Sequence, residues 1–199
     1  MKLPRVATIA AVALALAAGA FAQPAHWEID LAHSNASFTV RHLMVSNVRG
    51  EFTKLAGGLD IVGNDPTTAK VSVTIDAASV NTREPKRDDH LRSADFFDVA
   101  KFPTLTFVSR KIESGGEGRL KVTGDLTIHG VTKEVTFDVD SLTPPMKDPW
   151  GGTRVGAHAA ATIDRKEFGL VWNKALEAGG VLVGDDVKIS IDVELVKKT

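Results

Sequence analysis

No cysteine occurs in the 199 residues, so no disulfide ties the fold and no thiol can serve as nucleophile, redox centre or metal ligand. Tyrosine is absent too, and tryptophan is used three times against nine phenylalanines. The aromatic supply is therefore almost purely apolar, which suits a dry interior better than a sugar-binding cleft. Neither sign of charge dominates: 24 basic side chains face 25 acidic ones, for a formal net charge of −1. That balance argues against nucleic acid as the main partner, and gives no reason to expect an anionic membrane surface to attract the chain. Beyond residue 22 no apolar run approaches the roughly 20 residues that span a bilayer.

The first residues form a targeting pattern rather than part of a fold. Lys2 and Arg5 make a short positive region, Val6 to Ala18 is apolar apart from Thr8, and Ala20-Phe21-Ala22 places small residues as a signal peptidase requires. The expected cut lies before Gln23, giving a signal peptide over residues 1–22, a single domain over residues 23–199, and a periplasmic location. Loss of Lys2 and Arg5 leaves a chain of formal charge −3. With no cysteine near the cut, a lipoprotein anchor is excluded.

What is present in quantity is alternation. Ser37 to Arg41, Lys70 to Asp76, Arg119 to Ile128, Glu134 to Val139, Arg154 to Ile163 and Lys188 to Leu195 all alternate apolar with polar. With Val48 to Thr53, Leu59 to Val62 and Thr104 to Val108 the pattern predicts eight to ten strands, each with one apolar face. Turn signals separate them: Ala56-Gly57-Gly58, Gly63-Asn64-Asp65-Pro66, Ser114-Gly115-Gly116, and Pro144-Pro145. The pair His129-Gly130 between two alternating runs reads as a tight hairpin. Short helices are expected only within Arg83 to Ser93, Arg165 to Leu170 and Asn173 to Ala178. Such strands either stack as a sandwich or close as a barrel. A barrel of about eight strands is just wide enough to be filled by its side chains or to hold one small ligand. Ala157, Ala159, Ala161, Gly124 and Gly50 on the apolar phase would leave space. Alternatively, neighbouring Phe side chains fill it.

Candidate chemistry is sparse. His33 and His42 are nine residues apart and fall on opposite faces of a regular strand. No pair of histidines has close zinc-ligand spacing. No metal site is therefore expected, and Asp89 and His90 are the first pair to test. The densest charged run is Arg87-Asp88-Asp89-His90-Leu91-Arg92. It can be an acid/base pair, or Asp caps paired with Arg that fix a loop over a barrel mouth; the second is favoured. No Gly-x-Ser-x-Gly appears, and Gly115-Gly116-Glu117-Gly118 is a hairpin turn rather than a phosphate cradle. Phe96, Phe97 and Phe102 cluster beside a loop, with Phe168 and Trp172 in another loop-like stretch. They either plug one end of a barrel or line the entrance to an apolar pocket. His42-Leu43-Met44-Val45 extends the first long strand apolarly, and Met is an adaptable lining residue.

Several segments together resemble the YceI-like family of lipocalin-like periplasmic proteins. They are Trp27-Glu28-Ile29-Asp30 with His33-Ser34 and Phe38; His42 to Val48 with Gly50 and Phe52; Arg87-Asp88 with His90-Leu91; Asp95 to Asp98; Gly124 to Thr132; Asp164-Arg165 with Phe168-Gly169; and Gly184-Asp185 with Val187. They run in order across the chain. The resemblance implies an all-β fold, an eight-stranded antiparallel lipocalin-like barrel with a short helical lid and a long apolar channel. It also implies binding of a polyisoprenoid, an isoprenoid quinone or a fatty acyl compound, often in a homodimer.

The expectation is a carrier or sequestering protein that performs no chemistry and takes no cofactor beyond the lipid itself. The expected lining is Phe38, Val40, Met44, Phe52, Leu91, Phe96, Phe97, Phe107, Phe137, Phe168 and Trp172, with Arg87 and His90 at the head group. Two rivals stand beside it: an enzyme acting on the bound lipid through Asp88, Asp89 and His90, and a stress-protective structural protein whose barrel is solidly packed.

Overall fold

The computed structural model describes residues 23–177 and 179–198. The expected signal peptide, residues 1–22, lies outside the described residues. The strands in chain order are β1 Ala25–Ile29, β2 Asn35–His42, β3 Ser46–Phe52, β4 Leu55–Ile61, β5 Lys70–Asp76, β6 Val80–Asn81, β7 Thr104–Ser114, β8 Leu120–Ile128, β9 Val131–Asp140, β10 Met146–Lys147, β11 Thr153–Asp164 and β12 Val183–Lys197. One α-helix, α1 Pro85–Arg92, precedes β7.

Pairing is antiparallel throughout, and the ladder closes on itself: β1–β4–β5–β7–β8–β9–β11–β12 and back to β1. The other segments prolong this ring. β2 continues β1, β3 precedes β4, and β6 continues β5, so each pair forms one long bent stave, and the barrel has eight staves. β10 is a two-residue tab on β11. Closure removes the exposed edges that an open sheet would present.

The bends come from polar residues that the alternation alone does not reveal. Between β1 and β2 the Asp30 carboxylate accepts from the Ala32 amide and starts a 3-10 turn, Leu31–His33. Ser34 then bridges to β12: its hydroxyl donates to the Glu194 carbonyl at 3.3 Å and accepts from the Glu194 amide at 3.0 Å. The stave is therefore not a regular strand, and His33 sits in the turn while His42 pairs with Ser46 on the inward phase. A second bend is pinned where Ser79 accepts from the amides of Thr53 and Lys54.

Two helical expectations hold in shorter form, as α1 and as a 3-10 turn over Arg165–Phe168. The third does not: the described part of Asn173 to Ala178 is irregular, with a single bridge from Ala175 to Val181. Asn173 spends its side chain on the backbone of Val183 instead. The His129-Gly130 hairpin is as expected, with φ of 51° and 73°, the left-handed pair that a type I′ turn requires.

The densest packing lies at the end carrying α1. Phe52, Val80, Leu105, Leu126, Ile128, Ile163, Phe168 and Leu170 form the buried cluster, with Phe38, Leu91, Phe97 and Phe107 against it. Each large side chain buried here is worth roughly 1.5–3 kcal/mol. The space expected at two glycines is occupied. A Cβ on Gly50 would lie 2.3 Å from the Phe38 ring, and one on Gly124 would lie 2.8 Å from the Phe107 ring and 2.3 Å from the Val108 carbonyl oxygen. These glycines are small because rings lie across them.

Gly124→Ala should therefore destabilise the protein by about 2–3 kcal/mol, since a backbone carbonyl cannot swing aside. On Gly156, by contrast, a Cβ meets nothing closer than 3.8 Å. Gly156→Ala should change stability by less than about 0.5 kcal/mol. Urea midpoints of the two variants check the pair.

Candidate functional site

The interior has two unlike walls. On β8 the inward positions Val122, Gly124, Leu126 and Ile128 are buried and only Leu120 is half-buried. On β11 and β12, which follow β8 and β9 round the ring, the balance reverses. The inward residues of β11 are Val155, Ala157, Ala159, Ala161 and Ile163, paired in turn with Leu195, Val193, Ile191, Ile189 and Val187 of β12. Of these ten, only Ile163 and Leu195 are buried, and the other eight keep contact with solvent. This wall offers carbon only, and its middle is built from three alanines, so side chains there reach least far across the barrel.

The expected lining residues separate into distinct groups. Phe38 and Val40 point inward from β2 and pair with Ile189 and Val187. Phe38, Phe52 and Phe97 form a chain of rings, with centroids 5.9 and 5.6 Å apart, from the wall up to the lid. Leu91 packs from α1 onto the same cluster. Phe107 and Phe137 meet edge to face at 5.1 Å on the sealed side. Phe168 is 1% exposed and presents no surface to a guest; it belongs to the core. Phe96 and Trp172 lie apart from that cluster, 5.4 Å from each other, with His90 edge-on to both. Met44 is in the exposed β2–β3 turn.

The charged run on α1 is a latch. Asp88 is buried and accepts from both the amide and the hydroxyl of Thr82, just after β6. Arg87 donates to the Thr82 hydroxyl and carbonyl at 2.7 and 2.8 Å. Arg92 donates to the Ala78 and Val80 carbonyls and pairs with Asp89. His90 pairs with Asp95 at 2.8 Å. Asp88, Asp89 and His90 thus have different partners, and no hydrogen bond joins them to one another. The guanidinium of Arg87 is likewise spent on the fold.

Two features carry no local sequence signal. The first is a charged node on the barrel exterior. Arg154 pairs with Asp148, Asp30 and Glu194, and His33 bonds Asp30 at 3.0 Å. Among the described residues Asp30, His33 and Glu194 are the one group close enough to share a cation. Arg154 already supplies that charge, using the same oxygens. Its guanidinium, then His33, pulls the Asp30 carboxyl down to about 2, and Arg154 is itself held above the ordinary arginine value. The second is Arg165, buried beneath residues 170–172 and 183–185. It donates to the carbonyls of Leu170, Trp172, Val183 and Gly184 and to Asp185, which fixes the Trp172 loop over the barrel end. Burial lowers its pKa, opposed by Asp185 and Asp164.

A closed antiparallel barrel with a latched helical lid and a carbon-lined inner wall belongs to the class of barrels that enclose their own interior. Within that class the YceI-like domain family matches residues 27–195, and the chain belongs to it. A UPF0312 protein of Staphylococcus aureus strain USA300 is 41% identical over 170 residues, covering 85% of this chain and 96% of its own. BcnA of Burkholderia cenocepacia superposes with a TM-score of 0.73 at 25% identity, over 83% of this chain and 98% of its own. A Campylobacter jejuni YceI protein does so at 0.68 and 33%, over 80% and 90% of the two chains. A polyisoprenoid-binding domain from Saccharophagus degradans, implicated in plant cell wall breakdown, shares the fold at 0.64 and 18% identity, over 86% and 98%. No helix among the described residues is long and apolar enough to cross a membrane.

Asp88→Ala leaves the Thr82 amide and hydroxyl without their acceptor inside the fold, and should cost about 2–3 kcal/mol. Amide exchange should speed up first in α1. Asp89→Ala removes only an exposed pair and should cost less than about 1 kcal/mol.

The Asp30 carboxyl, at about 2 when folded against an ordinary 3.8, favours the folded state above the ordinary value. That contribution fades as pH falls from about 4 towards 2. Carbon-detected NMR titration should find the low midpoint, and Arg154→Gln should return it towards the ordinary carboxylate range.

Proposed function

We propose that this chain is a binding protein that keeps a long apolar lipid, of polyisoprenoid or isoprenoid-quinone type, in its barrel interior. The role is transport, storage or sequestration, in the periplasm once residues 1–22 have been removed. The observation that carries the proposal is the β11–β12 wall: inward, wholly apolar, and still reached by solvent along most of its length. Apolar surface left wet inside a closed barrel is unfavourable, and covering it with a hydrocarbon recovers roughly 0.8 kcal/mol for each methylene buried. With no hydrogen-bonding side chain on that wall, the complementary guest is a chain of carbon. The polyisoprenoid-binding domain that shares the fold supports the same class of guest.

Catalysis is not part of the proposal. Asp88 and Asp89 are held by Thr82 and Arg92, and His90 by Asp95, so the acid/base rival lacks a convergent pair. The packed-barrel rival draws on a specific observation, the rings lying over Gly50 and Gly124. Those rings fill the space beside β3 and β8 and leave the alanines of β11 uncovered.

Ala159→Phe separates the two. A vacant interior accepts the ring at a cost of less than about 1 kcal/mol, while a filled one would lose about 3 kcal/mol to overpacking. In the first case uptake of a tritiated long-chain isoprenoid alcohol should drop severalfold against the unmodified chain. Native mass spectrometry of protein taken from its own periplasm should show a co-purifying lipid; the proposal falls if no lipid co-purifies and the delipidated protein takes up no isoprenoid.

A further inference from the structure

The turn between β2 and β3 breaks two rules at once. Its central residues, Leu43 and Met44, have φ of 51° and 60°, and the His42 carbonyl accepts from the Val45 amide at 3.0 Å. That is a type I′ arrangement, in which Asn-Gly is the favoured pair and larger side chains are strained. These two and Val45 after them are apolar and turned to solvent: Leu43 is 39% exposed, Met44 52% and Val45 74%, with Val171 at 63% in the lid-end loop that follows Phe168. Fold stability explains neither choice, since polar residues with a freer backbone would serve the turn better.

The surroundings say what covers the tip. Arg41 and Arg49 project from the outward face of β2 and β3 just behind it, as diagonal neighbours in the register. Arg41 steadies the turn by donating to the Met44 carbonyl at 2.8 Å. Lys174 joins them through the backbone, its carbonyl accepting from Leu182, whose own carbonyl accepts from Leu43. Among the described residues none of these three cations has a carboxylate within salt-bridge distance, although Asp185 nearby is taken by Arg165 and Lys166. Glu177 in the same loop and Asp186, next to Asp185 on β12, are exposed carboxylates that offset part of this charge. A chain of net negative charge thus carries a local cationic collar behind an apolar tip.

We propose that this tip docks on a lipid bilayer bearing anionic headgroups, with Leu43, Met44 and Val45 entering the interface and Arg41, Arg49 and Lys174 resting on the headgroups. The proposal rests on the lipid-binding reading above, which gives the protein a reason to meet a bilayer. A protein partner fits less well, because three side chains cover far less than the roughly 800 Å² per side of a stable interface. Shallow insertion backed by cations is how small apolar elements hold a membrane surface.

The test is flotation of the delipidated chain with vesicles of phosphatidylethanolamine and phosphatidylglycerol, and with phosphatidylcholine alone. The unmodified chain should float with the anionic vesicles, less so as salt is raised, and little with phosphatidylcholine. The double variant Leu43→Asn with Met44→Gly should melt at the same temperature or a few degrees higher, yet float about tenfold less. Arg49→Gln with Lys174→Gln should lower binding to the anionic vesicles alone.

Uptake of the tritiated isoprenoid alcohol from detergent micelles is measured on the same samples. Uptake without flotation overturns the docking proposal and leaves the carrier reading standing. Flotation without uptake does the reverse. The docking proposal also falls if the Asn-Gly variant floats like its parent, if Trp150→Ala at the opposite end abolishes flotation instead, or if the tip variant merely dissolves a dimer seen on sizing columns.

Discussion

Eleven consecutive residue pairs join β11 to β12, and most of the remaining structure depends on that seam staying in register. It closes the ring, and it decides which side of each strand faces inward. Because side chains alternate with a period of two, a slip of one residue would expose the alanine–isoleucine wall to water. Arg154, His158 and Glu194 would then be buried without compensation. The exterior node of Arg154 with Asp30, Asp148 and Glu194 and the contact of His158 with Asp140 and Ser190 sit across this seam and its neighbours. Polar contacts outside and apolar pairs inside favour the same register.

Closing eight staves around so narrow a space demands bending, and the bends are paid for with hydrogen bonds. Ser34 replaces part of a ladder where β1 gives way to β2, and Ser79 serves the β3–β4 break. The sheet is then finished by a lid rather than by strands at one end. There β6 is only two residues long, and α1 is latched to it through Thr82, Asp88 and Arg87. Arg165 does the equivalent work on the opposite loop. Buried charge at two points of the same end makes that end the rigid, sealed one, in keeping with the core cluster that lies beneath it.

The strands were legible because a half-buried strand writes its burial directly into alternation, and the His129-Gly130 turn because left-handed backbone selects residues locally. What alternation cannot show is the partner across a strand pair. Gly50 and Gly124 read as empty space until the register sets Phe38 opposite the first and Phe107 diagonally beside the second. The node of Asp30 and Glu194 joins residues at opposite ends of the chain, so no spacing rule finds it. Arg165 looks like an ordinary charged residue of a short turn, and only the carbonyls that converge on it mark it as buried. The helical expectation over Asn173 to Ala178 failed for a related reason: Asn173 is more useful bridging to Val183 than starting a helix.

The residues through which the chain resembles its family mostly build the container. Asp30 and Ser34 make a bend, Gly50 and Gly124 admit rings, Arg87 and Asp88 latch the lid, His129-Gly130 turns a hairpin, and Arg165 with Phe168 anchors a loop. The uncovered wall is made mostly by other positions: of its eight solvent-reached residues only Val187 belongs to those segments, and Ala157, Ala159, Ala161, Ile191 and Val193 lie outside every one of them. Backbone shape and interior shape are therefore set by largely separate sets of residues. Substitution along the wall changes the girth of the interior while leaving bends, turns and latches untouched. Two barrels of this family can thus keep the same frame and differ in interior girth, and in this chain that girth is set by three alanines rather than by the motifs that identify the family.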